Sequence, residues 1–211
     1  MPAEKTVDSP PHRRTQAERV AESDTRMLQA AMGLVATRGY AQTTLEAIGT
    51  ESGYSRGLVS HRWGTKDKLL EALVDRVLED FRVGLLERLR GLTGLDALFC
   101  EIDCYLEGMD DPPLSSRAFF VLMLESIGPA PQIREHFARF SKKWQASLAR
   151  TIAKGQQLGS IRADVKPADE ARLLIATLRG LRTQSMLDPA SSDIARDIAA
   201  LKATLTQRLA P

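Results

Sequence analysis

Cysteine is scarce in this chain. Two residues, Cys100 and Cys104, in 211 exclude a disulfide-framed secreted scaffold. They stand one helical turn apart, but two thiols on one helix lack the remaining ligands of a zinc site. Buried, inert cysteines are the expectation, and neither a metal nor a cofactor is implied. Aromatic residues are sparse at 5%, while Leu, Ala and Arg are abundant, a balance that favours helices over sheets. No run of about 18 apolar residues occurs, so no transmembrane helix is expected. The first residues lack the apolar stretch of a signal peptide. The three histidines, His12, His61 and His136, are scattered, with no nucleophile, base and orienting group beside them, so an enzyme has little support. Net charge is small, +2, and does not by itself indicate nucleic acid. The expectation is a soluble, cytoplasmic protein.

What is present is apolar periodicity of one kind. Residues 1–16 (MPAEKTVDSPPHRRTQ) are polar, aperiodic and expected to be disordered, with His12-Arg13-Arg14 as a basic cluster that could reach a minor groove. From about 17 to 38, Met27, Leu28, Ala31, Leu34 and Val35 recur at helical spacing, with Gly39 as a left-handed stop. Thr65 caps a helix whose stripe runs through Leu69, Leu70, Leu73, Val77, Phe81 and Leu85. Further helices are predicted at 95–108 (stopped by Gly108 and a turn at 110–113), 113–127, 131–158, 167–187 and 191–209, punctuated by Gly and Pro. The fold class is all-α, with about nine helices, no strand signal and no internal repeat.

Residues 43–68 (TTLEAIGTESGYSRGLVSHRWGTKDK) carry the chemistry. They read as two short helices around a tight turn at Ser52-Gly53-Tyr54, the layout of a helix-turn-helix. Thr43 or Thr44 can cap the first helix and Ser55 the second. No acidic residue lies between Glu51 and Asp67. Over residues 53–68, Arg56, Arg62, Lys66 and Lys68 stand against Asp67 alone. A short helix free of carboxylates and bearing Arg, Ser and His suits a polyanionic groove.

The chain resembles the TetR family of bacterial transcriptional repressors. The resemblance rests on Ala30-Ala31, Gly39-Tyr40, Thr43-Thr44, Ile48, Gly53-Tyr54-Ser55, Gly57, Trp63 and Lys66 to Leu70, in the family's order and spacing. Later, Gly155, Gly159 and Ile161-Arg162-Ala163-Asp164 precede two long helices meeting at Asp188-Pro189. The family usually carries Tyr-x-His-Phe where this chain has Ser60-His61-Arg62-Trp63. Trp63 keeps the bulky anchor, while Ser60 and Arg62 change the polar contacts. The resemblance implies a DNA-binding domain over 17–65 and an effector-binding and dimerisation domain over 66–211.

On double-stranded operator DNA, Arg56 is the expected base reader, since a guanidinium can bond guanine O6 and N7 together. Gly57 would allow close approach, and Ser60, His61 and Arg62 would meet bases or phosphates. Tyr40, Thr43, Thr44, Tyr54, Ser55 and Lys66 would bond phosphates, contacts that position without reading sequence. Leu58 and Val59 are expected to face inward.

The resemblance further implies a homodimer through the last two helices. Leu173, Leu174, Thr177, Gly180, Leu181, Ile194, Ile198, Leu201 and Leu205 are its expected interface. It also implies a small-molecule effector held among the middle helices, with Phe99, Cys100, Asp103, Cys104, Phe119, Met123, Phe137, Phe140 and Trp144 as candidate lining. Glu125, like Asp103, could orient a cationic or hydroxylated ligand. A non-effector, architectural DNA-binding dimer with a solid core is the alternative, and a large internal cavity separates the two.

Overall fold

The computed structural model describes residues 15–106, 113–190 and 192–211. The basic cluster His12-Arg13-Arg14 and the stop expected at 108–112 lie outside the described residues. Among the described residues there are nine α-helices, one 3-10 turn and no strand.

Helix α1, Gln16–Gln42, opens on a reciprocal cap. Thr15 Oγ1 accepts from the Glu18 amide at 3.2 Å, and Glu18 Oε2 accepts from the Thr15 amide at 2.7 Å, so two otherwise orphaned donors are satisfied. The sequence expectation of a left-handed stop at Gly39 is corrected. Gly39 has φ 77° and ψ 174°, a kink rather than a left-handed cap, and the helix resumes for a further turn. Helices α2, Leu45–Ser52, and α3, Arg56–Trp63, are joined through Gly53 at φ 79°, ψ 21°, a conformation open to glycine at no steric cost. Thr44, Ser55 and Thr65 each cap the helix that follows, accepting from Ala47, Leu58 and Lys68 amides at 3.1, 3.2 and 3.3 Å.

Helix α4, Lys66–Arg88, leads into the body: α5 (Gly94–Leu106), α6 (Leu114–Glu125), α7 (Arg134–Gln157), α8 (Pro167–Leu187) and α9 (Ile194–Leu209). The segment predicted as one helix over 131–158 instead starts as a 3-10 turn, Pro131–Ile133. Its Arg134 guanidinium reaches back to the Ser126 and Ile127 carbonyls at 3.0 and 3.1 Å, satisfying the open carbonyl end of α6. Helix α1 lies along α6, α7 along α8, and α5 touches both α7 and α9. One continuous cluster of buried side chains therefore runs from Met27 in α1 to Leu209 in α9. No helix of the described residues is long and apolar enough to cross a membrane.

Candidate functional site

The outer face of α3 is built from its two ends. Ser55 fixes the start by capping, and Val59, fully buried, pins the middle. Gly49 sets the distance to α2. A Cβ there would lie 2.9 Å from the Tyr54 carbonyl oxygen, so the two helices close only over glycine, a role the sequence did not single out. Arg56, Gly57, Ser60 and His61 are exposed, and a Cβ at Gly57 would meet nothing nearer than Ser55 Oγ at 3.8 Å. Gly57 is therefore open to an incoming surface rather than to its own fold. Leu58, expected inward, is 42% exposed. The helix turns about 100° per residue, and with Val59 at the centre of the buried face Leu58 falls on its edge.

Three expected phosphate ligands are occupied within the chain. Tyr40 is buried, with its hydroxyl donating to Asp67 and accepting from Gln132. Burial first, and the Asp67 carboxylate second, push that hydroxyl up to about 12. Lys66 donates to the Tyr40 carbonyl at 3.2 Å, and its ammonium sits 4.1 Å from the Tyr40 ring centre. Thr43 is fully buried, its hydroxyl donating to the Gly39 carbonyl at 2.8 Å. Tyr40 and Thr43 therefore cannot present side chains to a phosphate. Arg62, expected on DNA, is held through two nitrogens by Asp24 of α1 and lies 5.9 Å from the Trp63 ring centre. Tyr54 is half-buried against the core, while Thr44 and Ser55 are exposed.

The kink at Gly39 has a partner in the body. It frees the Tyr40 amide, which donates to Glu125 Oε2 at 2.8 Å. A Cβ at Gly39 would stand 2.8 Å from Glu125 Oε1. Glu125, suggested as a ligand-orienting group, instead ties the end of α6 to the end of α1.

A cavity of about 500 Å³ lies among α4, α5, α6 and α8, lined by Val77, Asp80, Phe81, Cys104, Tyr105, Pro113, Ser115, Ser116, Phe119, Phe120 and Arg182. Its size is in the range of small-molecule sites, about 300–1,000 Å³. Of the expected lining, Cys104 and Phe119 are there. Phe140 and Trp144 stand behind it, both packed edge-on against Phe81, with ring centres 5.9 Å away in each case. Met123 and Phe137 belong to the buried core. Asp103 and Phe99 face α9, with Lys202 Nζ 2.6 Å from Asp103 and 5.7 Å from the Phe99 ring centre. Cys100 and Cys104, expected buried, are half-buried with their sulfurs 3.9 Å apart.

Sequence reading missed the charged groups of this region because distant segments bring them together. Arg182 is 3% exposed. It donates to the Tyr105 carbonyl at 2.8 Å and to Ser116 Oγ, and its guanidinium lies 4.5 Å from the Phe120 ring centre. Its Nε has no partner, and burial pulls its pKa down. Aromatic stabilisation of a desolvated cation is worth about 2 kcal/mol, whereas desolvating an ion costs several, and no carboxylate among the described residues pairs with Arg182. Tyr105 Oη is also buried, and burial pushes it up to about 12 against the opposing pull of the nearby Arg179 and Arg182. Nearby, Glu101 accepts from Trp144 Nε1 at 2.9 Å, and burial pushes its carboxyl up to about 7.

The expected pairing face is a groove between α8 and α9 of about 310 Å³, lined by Leu173, Leu174, Thr177, Leu181, Leu201 and Leu205 among others. Leu173 is 47% exposed, and a Cβ at Gly180 would meet nothing within 4 Å. Ile198 and Leu201 are half-buried. Within the protomer, Leu174 and Leu205 form the floor of the groove and Ile194 faces the chain's own core, all three buried.

Comparison with known proteins agrees with this arrangement. The profile of bacterial regulatory proteins of the tetR family matches residues 27–73, and that of the BetI-type transcriptional repressor C-terminal region matches residues 109–210. The chain is 29% identical to the HTH-type transcriptional regulator CymR of Pseudomonas putida over 188 residues, 83% of this chain and 85% of that protein. It superposes on a TetR transcriptional regulator from Chloroflexus aurantiacus with a TM-score of 0.82 at 23% identity, covering 91% and 98% of the two chains. It superposes on SmeT in a complex with triclosan with a TM-score of 0.75 at 28% identity, covering 90% and 92%. These relatives are regulators, not enzymes. With a capped helix-turn-helix, an all-helical body and profile matches at both ends, the chain belongs to the TetR family of DNA-binding transcriptional regulators.

Proposed function

We propose that the protein is a homodimeric repressor, held on operator DNA by α3 and released when a small molecule fills the cavity among α4, α5, α6 and α8. The observation that carries the DNA half is the free cationic edge of α3. Among the described residues, Arg56 and His61 make no hydrogen bond or ion pair within the chain, whereas neighbouring Arg62 is already matched by Asp24. An unengaged guanidinium at the start of a groove-sized helix is placed to bond a guanine edge. Thr44 and Ser55, exposed at helix starts, supply phosphate contacts through hydroxyls and backbone amides. Residues 17–65 then act as the DNA-binding domain and 66–211 as the sensing and pairing domain.

Pairing follows from weak recognition by a single short helix, which two half-sites about 34 Å apart overcome. The α8–α9 groove, with exposed Leu173 and open space over Gly180, is the surface for it. Effector release follows from the cavity and from α6, which carries Phe119 and Phe120 in the cavity wall and Glu125 on the Tyr40 amide. A ligand that favours one cavity shape biases the spacing of the two recognition helices. The BetI-type repressor profile and the SmeT–triclosan complex support a small-molecule-responsive repressor. A solid-core architectural binder is disfavoured by a cavity of about 500 Å³.

The test is footprinting of intergenic DNA with purified protein across a salt series. A protected two-fold site whose affinity falls steeply with salt is the expected result, since each neutralised phosphate contributes about −0.9 to the log–log slope. Absence of any protected site, or a flat salt response, overturns the DNA assignment.

A further inference from the structure

Cys100 and Cys104 are the chain's only cysteines, and the DNA-binding and pairing surfaces use neither. They lie one turn apart on α5, both half-buried, with sulfurs 3.9 Å apart. Cys100 Sγ also donates to the Arg88 carbonyl at the end of α4, at 3.6 Å. Cys104 lines the cavity in company with Phe81 and Phe119. What such a pair can hold follows from its spacing. A disulfide draws its two Cβ atoms to about 3.8 Å, whereas neighbours one turn apart on a helix hold theirs about 5–6 Å apart. Direct oxidation therefore works against α5, and a single bridging atom does not. Two sulfur bonds of about 2.3 Å, the zinc–thiolate length, span about 3.8 Å at a tetrahedral angle and about 4.6 Å when collinear. The observed spacing suits a bent centre. Yet among the described residues no group of three or more His, Cys, Asp or Glu could hold a metal ion. A centre bound here takes two ligands from the chain and must bring its third.

We propose that Cys100 and Cys104 form a dithiol site for a trivalent arsenical that carries one organic group. The arsenic bridges the two sulfurs, and its organic group extends past Cys104 into the cavity, against Phe81 and Phe119. In its hydrated form the centre has two As–OH bonds and one As–C bond. Binding breaks both As–O bonds and both S–H bonds, forms two As–S bonds and releases two waters. The thiol protons leave on those waters, arsenic stays trivalent and no electrons are transferred, so no oxidant is needed. Soft thiolate donors favour such a centre over a hard cation. The site stands whether or not filling of the cavity releases DNA.

The experiment titrates the reduced full-length protein with phenylarsine oxide, following free thiols and intact mass under native conditions. One equivalent is expected to remove both thiols and to add one phenylarsenic unit in exchange for two hydrogens. Ethanedithiol should reverse binding, whereas an equal concentration of the monothiol 2-mercaptoethanol should not. Cys100→Ser and Cys104→Ser are each expected to weaken retention about a hundredfold or more, since the second thiolate binds intramolecularly. Arsenite, which lacks the ring, is expected to bind roughly tenfold more weakly, the value of burying one aromatic group. The thermal midpoint should rise with phenylarsine oxide, because the folded pair binds better than the unfolded one. Should a serine variant fail to fold, dithiol reversal and the arsenite comparison in the unaltered protein decide. Retention by a single thiol, equal binding of arsenite, or a falling midpoint overturns the proposal. So does a disulfide formed by hydrogen peroxide in a protein whose thiols phenylarsine oxide leaves free. Operator release is scored separately: a bound arsenical that releases no DNA keeps the dithiol site and removes the effector reading of the cavity.

Discussion

The Glu125 carboxylate accepts a hydrogen bond from the Tyr40 backbone amide at 2.8 Å, across 85 positions of sequence. The bond exists because Gly39 breaks the α1 ladder and leaves that amide without a helical acceptor. It joins the helix that walls the cavity to the helix that carries the DNA-reading pair.

Glu125→Ala is therefore expected to leave the Tyr40 amide unsatisfied and to cost about 1–3 kcal/mol of stability. Gly39→Ala forces a side chain into positive φ at 2.8 Å from Glu125 Oε1 and is expected to cost a similar amount. Urea denaturation of both variants and of the double variant measures whether the costs fail to add, as residues in contact should. Strict additivity would separate the kink from the carboxylate.

Arg56 and Arg62 sit six positions apart on the same short helix but in opposite states. Arg56→Ala is expected to cost roughly 1–3 kcal/mol of operator affinity and to relax preference at one base position. Arg62→Ala removes an exposed ion pair with Asp24, worth about 1 kcal/mol or less to stability, and should leave base preference intact. Binding to a library of single-base operator variants distinguishes them; identical profiles would sink the division of roles.

Leu173→Glu places a charge on the exposed lip of the α8–α9 groove without disturbing the protomer's own core. Light scattering after size exclusion is expected to show a shift from dimer to monomer, with operator affinity falling alongside. A dimer that persists at micromolar concentration moves the interface elsewhere.

Glu101 gives stability a pH dependence. Its carboxyl titrates at about 7 in the folded chain against an ordinary 4.5, because burial disfavours the charge. The folded state holds the proton more tightly than the unfolded one. The carboxyl therefore costs nothing below about 4.5, and stability falls as pH rises from there to about 7, by an amount on the order of 3 kcal/mol. Glu101→Gln keeps an acceptor for Trp144 Nε1 and is expected to flatten this decline. Denaturant midpoints at pH 5 and pH 7.5 check it, and an unchanged slope in the variant would assign the decline to other groups.

Local chemistry made much of this legible in advance. Thr44, Ser55 and Thr65 cap helices through atoms three residues away, and the apolar periods of α4, α8 and α9 depend on neighbours along one helix. What escaped depends on distance. Nothing near Tyr40 in sequence says that Asp67 and Gln132 receive its hydroxyl, and nothing near Arg62 says that Asp24 holds it. The cavity was expected from aromatic residues of the middle helices, but its wall draws Phe81 from α4, Tyr105 from α5 and Arg182 from α8, a meeting set by helix crossing rather than by any spacing. Leu58 was misplaced for a narrower reason: on a helix of eight residues a single buried anchor, Val59, decides which flank faces solvent.

Helix α6 has twelve residues, and Phe120 stands five positions before Glu125, a span of about 8 Å at 1.5 Å per residue. Over so short a run an α-helix is a stiff rod with almost no compliance. Volume added or removed beside Phe120 must therefore be accommodated as tilt of the whole rod, and its far end is bolted to the Tyr40 amide. Leu122 and Met123, both buried, grip the middle of the rod between the aromatic end and the bolted one, so substitutions that shorten them should uncouple the two ends without touching either.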